Sequence, residues 1–396
     1  MGNVSVVDEL LGLDAQPAAR GVADFAATIA ASNGMLIPLE LLVQARLPAG
    51  ATHEQAALLK REYRHKSRLL DSDRPLLACV CDILADSTPE PIALAACVAA
   101  LAPPEVPRVL AMSLDLARAL TAPIEADEII IRAALNSDPR HAAAGLQTLR
   151  SALAARSDTR LLVVLHDVRN GVASPTAPHD LMRALADLAD MVCALPLLTR
   201  ARGTAAAAQR ALYMDTATRL DALGLKRLAP GLYGQRHARV PARPSAWLTR
   251  IMNRLPQADV LGLGPAAHSR FNEMHFDNHT DAGLHARDVK RGGYGIARTY
   301  ASSPLEQFVE ALLHKLAGGG VVDVTALAVR CQCASPMFMK ACDSTIDALR
   351  NSGALSGKDA RRVSLQASND AHFGETHARL GQLRDALPTI APLGKW

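Results

Sequence analysis

The sequence predicts an α/β protein, in which six βα units form a partial, open barrel of parallel strands and a smaller helical domain follows. Three observations predict it. Between about residues 33 and 264, short apolar or β-branched runs alternate with longer helical patterns at a spacing of roughly 35 residues, the signature of parallel βα units. The runs are too apolar to face water on either side, as strands flanked by helices must be. After Gly264 the pattern changes to helices broken by Gly318, Gly319 and Gly320.

Taken in order, the expected strands are Met35 to Leu39, Pro75 to Asp82, Val109 to Leu114, Glu128 to Ala133, Leu161 to Asp167 and Met191 to Leu197. The expected helices between them are His53 to Leu70, Ile92 to Leu101, Ala142 to Ala155, His179 to Ala189 and Ala205 to Leu223. A doubly wound open sheet shares this periodicity, but no Gly-rich dinucleotide fingerprint follows the first strand. Beyond Gly264, Pro304 to Leu316, Val321 to Val329 and Pro336 to Leu349 read as helices and Arg361 to Leu365 as a β element, an order that resembles a winged helix. The expected division is a helical N-terminal segment at 1–32, the barrel at 33–264 and the helical, winged-helix-like domain at 265–396.

Composition narrows the function classes. The 396 residues are 49% hydrophobic and only 3% aromatic, so the core must be built from Ala, Leu and Val. The net charge of +4 is spread along the chain, with no basic block to mark a nucleic-acid partner. No run reaches the ~18 apolar residues of a membrane span, and Met1 to Leu13 carries Asp8 and Glu9 in place of a basic n-region, so a cytoplasmic protein is expected. Seven cysteines, an odd number, fit reduced thiols. Cys79 and Cys81 sit two apart on an expected strand, hence on one face of it, as core residues do. Cys331, Cys333 and Cys342 have no zinc-site spacing.

The most distinctive string is Leu-Gly-Leu-Gly-Pro-Ala-Ala-His-Ser at 261–269. It resembles the L-G-L-G-P-G-A-H-S signature of the oxygen-independent coproporphyrinogen oxidase and heme chaperone branch of the radical S-adenosylmethionine (SAM) proteins. Weaker similarities follow in the family's order: MLIPLELLVQ at 35–44, LADSTP at 84–89, Arg140-His141, Asp167 to Gly171, and QRALYMDTATRLDAL at 209–223 with Gly224 and Tyr233. The resemblance covers about residues 33 to 380 and implies a radical-SAM-like partial (β/α)6 barrel with a C-terminal winged-helix-like domain.

The resemblance also exposes what is missing. The family's C-x-x-x-C-x-x-C supplies three thiolates and leaves one iron open to SAM. Aligned on Ile37-Pro38, those slots hold Glu40, Gln44 and Leu47. Ala85, Asp86 and Ser87 stand where glycines let SAM approach the backbone, Leu135 where the family has glutamine, and Ser113 or Asp115 near the glutamate of the third strand. Only Arg140 and Asp167 match SAM-contacting positions. No [4Fe–4S] cluster, no SAM, no other cofactor and no metal are therefore expected. The family's H-N-x-x-Y heme motif is reduced to His237-Ala-Arg.

In parallel barrels the site lies at the carboxyl ends of the strands. Those ends give His166 as a general base, oriented by Asp167, with Asp115 and Asp82 completing a catalytic set. Arg132, Arg140, Asn136 and Glu40 are the expected substrate-binding residues. His268 reads as part of a structural turn, and His275, His279 and His285 as a solvated loop. The leading expectation is a non-radical biosynthetic enzyme, or the larger subunit of one, closing a small nitrogen ring on a carrier-protein-bound amino acid. Its partners would be that small-molecule or carrier-bound substrate and a small subunit covering the open barrel. A heme- or partner-binding scaffold is the second reading, and SAM-dependent methyl transfer without radicals a third.

Overall fold

The computed structural model describes residues 24–33, 40–48, 53–70, 74–83, 105–118, 126–134, 137–153, 159–166, 179–194, 214–229, 231–234, 258–271, 273–317, 320–359, 361–365, 376 and 379–380. They fall into two compact units. The first comprises 1–168, 178–192 and 257–301, and the second 169–177, 193–256 and 302–396.

The first unit is a largely parallel sheet. Its strands are β1 (Glu40–Leu47), β2 (Leu76–Ile83), β3 (Arg108–Ser113), β4 (Glu128–Ala134), β5 (Arg160–His166), the start of β6 (Met191–Ala194), β9 (Ala258–Leu263), β10 (His268–Phe271), β11 (Met274–Asn278) and β12 (Ile296–Ala301). The order is β12-β11-β10-β9-β1-β2-β3-β4-β5-β6. β9, β1, β2, β3, β4 and β5 run parallel, and β10, β11 and β12 add an antiparallel extension. The helices are α1 (Phe25–Asn33), α2 (His53–Ser67), the short α3 (Leu114–Arg118), α4 (Pro139–Leu153), α5 (His179–Leu188) and α6 (Ala282–Lys290).

Local chemistry accounts for the elements. Ile129, Ile130 and Ile131 of β4, and Leu161 to Leu165 of β5, are wholly buried, as strands with both faces covered must be. α4 begins at Pro139, whose fixed φ suits the first helical turn, and Asp138 accepts from the Arg140 amide at 2.9 Å. It then buries Ala142, Leu146, Leu149 and Leu153 at helical spacing. α1 docks through Phe25, edge-on to Phe271 at 5.7 Å and Phe276 at 4.9 Å.

The second unit contains the β7 (Lys226–Ala229) and β8 (Leu232–Gly234) hairpin, with the buried Tyr233, and the expected winged-helix order. That order is α7 (Pro304–Ala317), β13 (Val322–Asp323), α8 (Val324–Arg330), α9 (Pro336–Asn351), β14 (Leu355–Asp359) and β15 (Arg362–Leu365), with the three strands arranged β13-β15-β14. α9 opens on Pro336, and Ser335 accepts from the Phe338 amide at 3.2 Å.

The first strand among the described residues is Glu40–Leu47, and the expected Met35 to Leu39 lies outside the described residues. Gln44 and Arg46 make this strand look too polar for a core. They alternate with Val43, Ala45 and Leu47, so a single face carries them. In addition, the sheet does not stop at Gly264, because its antiparallel strands carry the unit on to Ala301. The residues at 92–101, 205–213 and 235–256, including the expected helix Ile92 to Leu101 and His237, lie outside the described residues.

Candidate functional site on the polar face of the sheet

Strand register assigns the faces, because cross-strand partners share a side and neighbours along a strand alternate. One face carries Val43, Cys79, Cys81, Phe271, Phe276 and Asn278. It is the helix side, since Phe25 of α1 meets Phe271 and Phe276, and Lys66 of α2 meets Asn278. The opposite face carries Gln44 and Arg46 of β1, Asp82 of β2, Ala111 and Ser113 of β3, Arg132 of β4, His268 and Arg270 of β10, His275 and Asp277 of β11, and Tyr300 of β12. A sheet face that buries so many charges costs several kcal/mol per uncompensated ion, so each must be neutralised or used.

At the carboxyl ends, Arg46 and Asp82 are register partners, 5% and 1% exposed. Arg46 donates from Nη1 to the Ala266 carbonyl. Burial lowers its pKa, Asp82 and Asp277 oppose that, and Arg132 adds repulsion. Asp277 then holds His268, its Oδ1 2.9 Å from Nδ1, and Arg298, its Oδ2 3.1 Å from Nη2. His268 Nε2 lies 3.0 Å from His275 Nδ1, and the His275 ring stacks on Tyr300 at 4.8 Å. Burial, then the proximity of His268 and Arg270, hold the His275 pKa well below the usual histidine value.

The expected site residues divide. Asp82 and Arg132 are brought together with Arg46 on this face. Asp115 stands apart, on α3 with a side chain 62% exposed, its Oδ1 2.7 Å from His141 Nε2. Arg140 is exposed at the first turn of α4. Glu40 opens β1, the end of the parallel sheet opposite the one where Asp82 closes β2, so its placement at the mouth is corrected. His166 ends β5 with its backbone opposite Ala134, while its side chain, Asp167 and Asn136 lie outside the described residues.

The histidine expectations are corrected as well. His268 is a buried strand residue, His275 is 5% exposed and His285 is 1% exposed. The strands that carry the first two are four and five residues long, too short for alternation to announce them. The available signal was the dipeptide spacing of His268 with Arg270 and of His275 with Asp277.

A second buried network stands behind the signature string, on the helix side. Glu62, fully buried on α2, accepts from Gly264 N at 2.8 Å, Asn278 Nδ2 at 3.1 Å and Lys66 Nζ at 2.7 Å, with His285 Nε2 at 3.2 Å. Lys66, equally buried, donates to Gly262 O at 2.8 Å. Burial alone would raise the Glu62 carboxyl, but Lys66 and His285 outweigh it and hold its pKa at about 2. Gly264 has φ +91°, and a Cβ there would lie 2.2 Å from the Arg46 carbonyl oxygen. The pair on α2 therefore fixes the turn whose next carbonyl, at Ala266, receives Arg46.

The resemblance to the radical SAM proteins implies an iron–sulfur cluster and SAM, and the described residues do not fit a cluster. The slots at Glu40, Gln44 and Leu47 fall inside β1, so they are not a cluster loop at all. The chain's first cysteine is Cys79, and the segment after β1 reads Pro48-Ala49-Gly50-Ala51-Thr52. Cys79 and Cys81 lie on the helix side of β2, where burial pushes the Cys79 thiol up to about 12 and Cys81 well above its usual value. No group of three or more His, Cys, Asp or Glu among the described residues is placed to hold a metal. Alkylation of the native protein followed by peptide mapping is expected to leave Cys79 and Cys81 unlabelled until the chain is unfolded.

No family model and no curated protein matches the chain. Among solved structures it is similar to coproporphyrinogen III oxidase (HemN) from Escherichia coli, described as a radical SAM enzyme, with a TM-score of 0.60 at 14% identity over 92% of this chain and 94% of that one. No helix among the described residues is long and apolar enough to cross a membrane. The chain thus has a HemN-like radical SAM fold, a parallel-dominated α/β sheet whose face opposite α1 and α2 carries guanidinium, carboxylate and imidazole groups.

Proposed function

We propose that this chain is a cluster-less radical-SAM-like protein that works without radicals, as a biosynthetic enzyme or the larger subunit of one in a specialised-metabolite pathway. One observation carries the reading: at the strand ends, the sheet face opposite α1 and α2 offers Arg46, Asp82, Arg132 and the Asp277–His268–His275 chain. These are the tools of acid–base chemistry and anion binding.

A reaction matched to such tools is intramolecular displacement on a small or carrier-protein-bound amino acid, giving an aziridine or azabicycle. The amine nitrogen attacks the carbon that bears an oxyanion leaving group, the C–N bond forms as the C–O bond breaks, and the ammonium proton passes to the Asp82 carboxylate. The departing oxyanion takes the bonding pair and is held by guanidinium. Orientation supplies most of the rate, and no electron is gained or lost. A small partner subunit is proposed along β12, which ends the strand order of this sheet among the described residues and so offers an edge suited to strand addition.

The test is turnover by chelator-treated protein, in air and without SAM, on aminoacyl-carrier substrates bearing a sulfate, phosphate or acyloxy leaving group. Intact mass should fall by the leaving acid, and Asp82→Asn should slow the loss on the order of a hundredfold or more. Ring formation that requires iron and SAM would overturn the reading.

A further inference from the structure

We propose that Arg132, with the Ser113 hydroxyl beside it, is the receptor for an oxyanion group of the ligand: a carboxylate, sulfate or phosphate. The inference rests on this polar sheet face being the functional site, and it adds the class of molecule that face accepts.

Arg132 differs from the other guanidiniums there. Arg46 has the Ala266 carbonyl and two carboxylates, Asp82 and Asp277. Arg270 donates to Ala258 O at 3.2 Å, and Arg298 pairs with Asp277. The half-buried Arg132 makes no hydrogen bond or ion pair among the described residues, and its Nε, shielded from solvent, has no acceptor there. Arg46, on the same face, repels it. A guanidinium withdrawn from water beside another cation stabilises nothing by itself and becomes favourable when an anion arrives.

Ser113 is the register partner of Arg132 on the adjacent strand, at a strand spacing of about 4.8 Å, and on the same face. Its Oγ accepts from the Leu116 amide at 3.3 Å, which uses a lone pair and leaves the hydroxyl proton to donate. A planar, forked guanidinium beside a hydroxyl donor, both at the carboxyl ends of parallel strands, matches the two or three oxygens of such a group.

The experiment is calorimetric titration of chelator-treated protein with acetate, sulfate and phosphate at fixed ionic strength, using chloride as the balancing salt. Saturable binding of at least one is expected. It should weaken on the order of tenfold to a hundredfold in Arg132→Gln and roughly threefold to tenfold in Ser113→Ala. Arg132→Lys, which keeps the charge and loses the fork, should fall between wild type and Arg132→Gln, and it decides the matter if Arg132→Gln does not fold. Which anion binds best assigns the group. No saturable binding to wild type, or unchanged binding in Arg132→Lys and Ser113→Ala, would overturn the proposal. Because neither iron nor turnover enters the measurement, its failure is separate from a failure of the non-radical reading.

Discussion

Lys66→Met is expected to destabilise the first unit by about 3 to 5 kcal/mol, because it strands the Glu62 carboxylate in a site with no access to water. Glu62→Gln should act in the same direction, leaving the Lys66 ammonium with carbonyl partners only. The loss should appear as a fall of roughly 10 °C in the unfolding midpoint, followed by circular dichroism. The double variant Glu62→Gln with Lys66→Met should lose less than the two single losses added together, because it leaves no uncompensated charge. Equal or greater loss would mean that the pair is not coupled.

The same carboxylate sets an acid limit. Its folded pKa is depressed from an ordinary 4.5 to about 2. A depressed acid contributes stability that is complete above the unfolded pKa and drains as pH falls through the folded one. The contribution, about 3 kcal/mol, should therefore be present above about pH 4.5 and disappear toward pH 2. In Glu62→Gln that part of the acid sensitivity should be absent.

The second large effect is expected at Gly264. Gly264→Ala forces a positive φ on an L residue and drives a Cβ to 2.2 Å from the Arg46 carbonyl oxygen, which belongs to the neighbouring strand. Gly292 provides the control, with φ +92° and nothing within 4 Å of the added carbon. Gly292→Ala should cost on the order of 1 kcal/mol, the backbone penalty alone. Gly264→Ala should cost several times more or prevent soluble accumulation, and equal stability of the two variants in urea titrations would contradict the packing described around the turn.

This contrast explains what was legible in the sequence and what was not. The parallel strands β2 to β5 could be read from their apolar runs, because both faces of those strands are covered and burial leaves a continuous signal. β1 could not, since Gln44 and Arg46 occupy every second position and break the run where the site begins. The signature string at 261–269 announced itself by its glycines, and the structure shows what they serve: Gly262 lies against the His268 backbone and Gly264 against that of Arg46. The partners that hold the string, Glu62 and Lys66, looked like an ordinary i, i+4 surface pair on a charged helix, and no pattern distinguishes such a pair from a buried one. Arg132 and Asp82 were legible as charges in otherwise apolar strands. His268 and His275 were passed over because their strands are short and antiparallel, and pairing across the sheet, which brings them together, leaves no mark along the chain.

The most direct measurement is iron and acid-labile sulfide after anaerobic reconstitution of the purified protein, read together with 5′-deoxyadenosine formation from SAM under a strong reductant. A sheet face built on Arg46, Asp82 and Arg132 should retain iron only at background level and yield no 5′-deoxyadenosine. Four irons and four sulfides per chain with reductive cleavage of SAM, as expected of a three-thiolate [4Fe–4S] site, would contradict it.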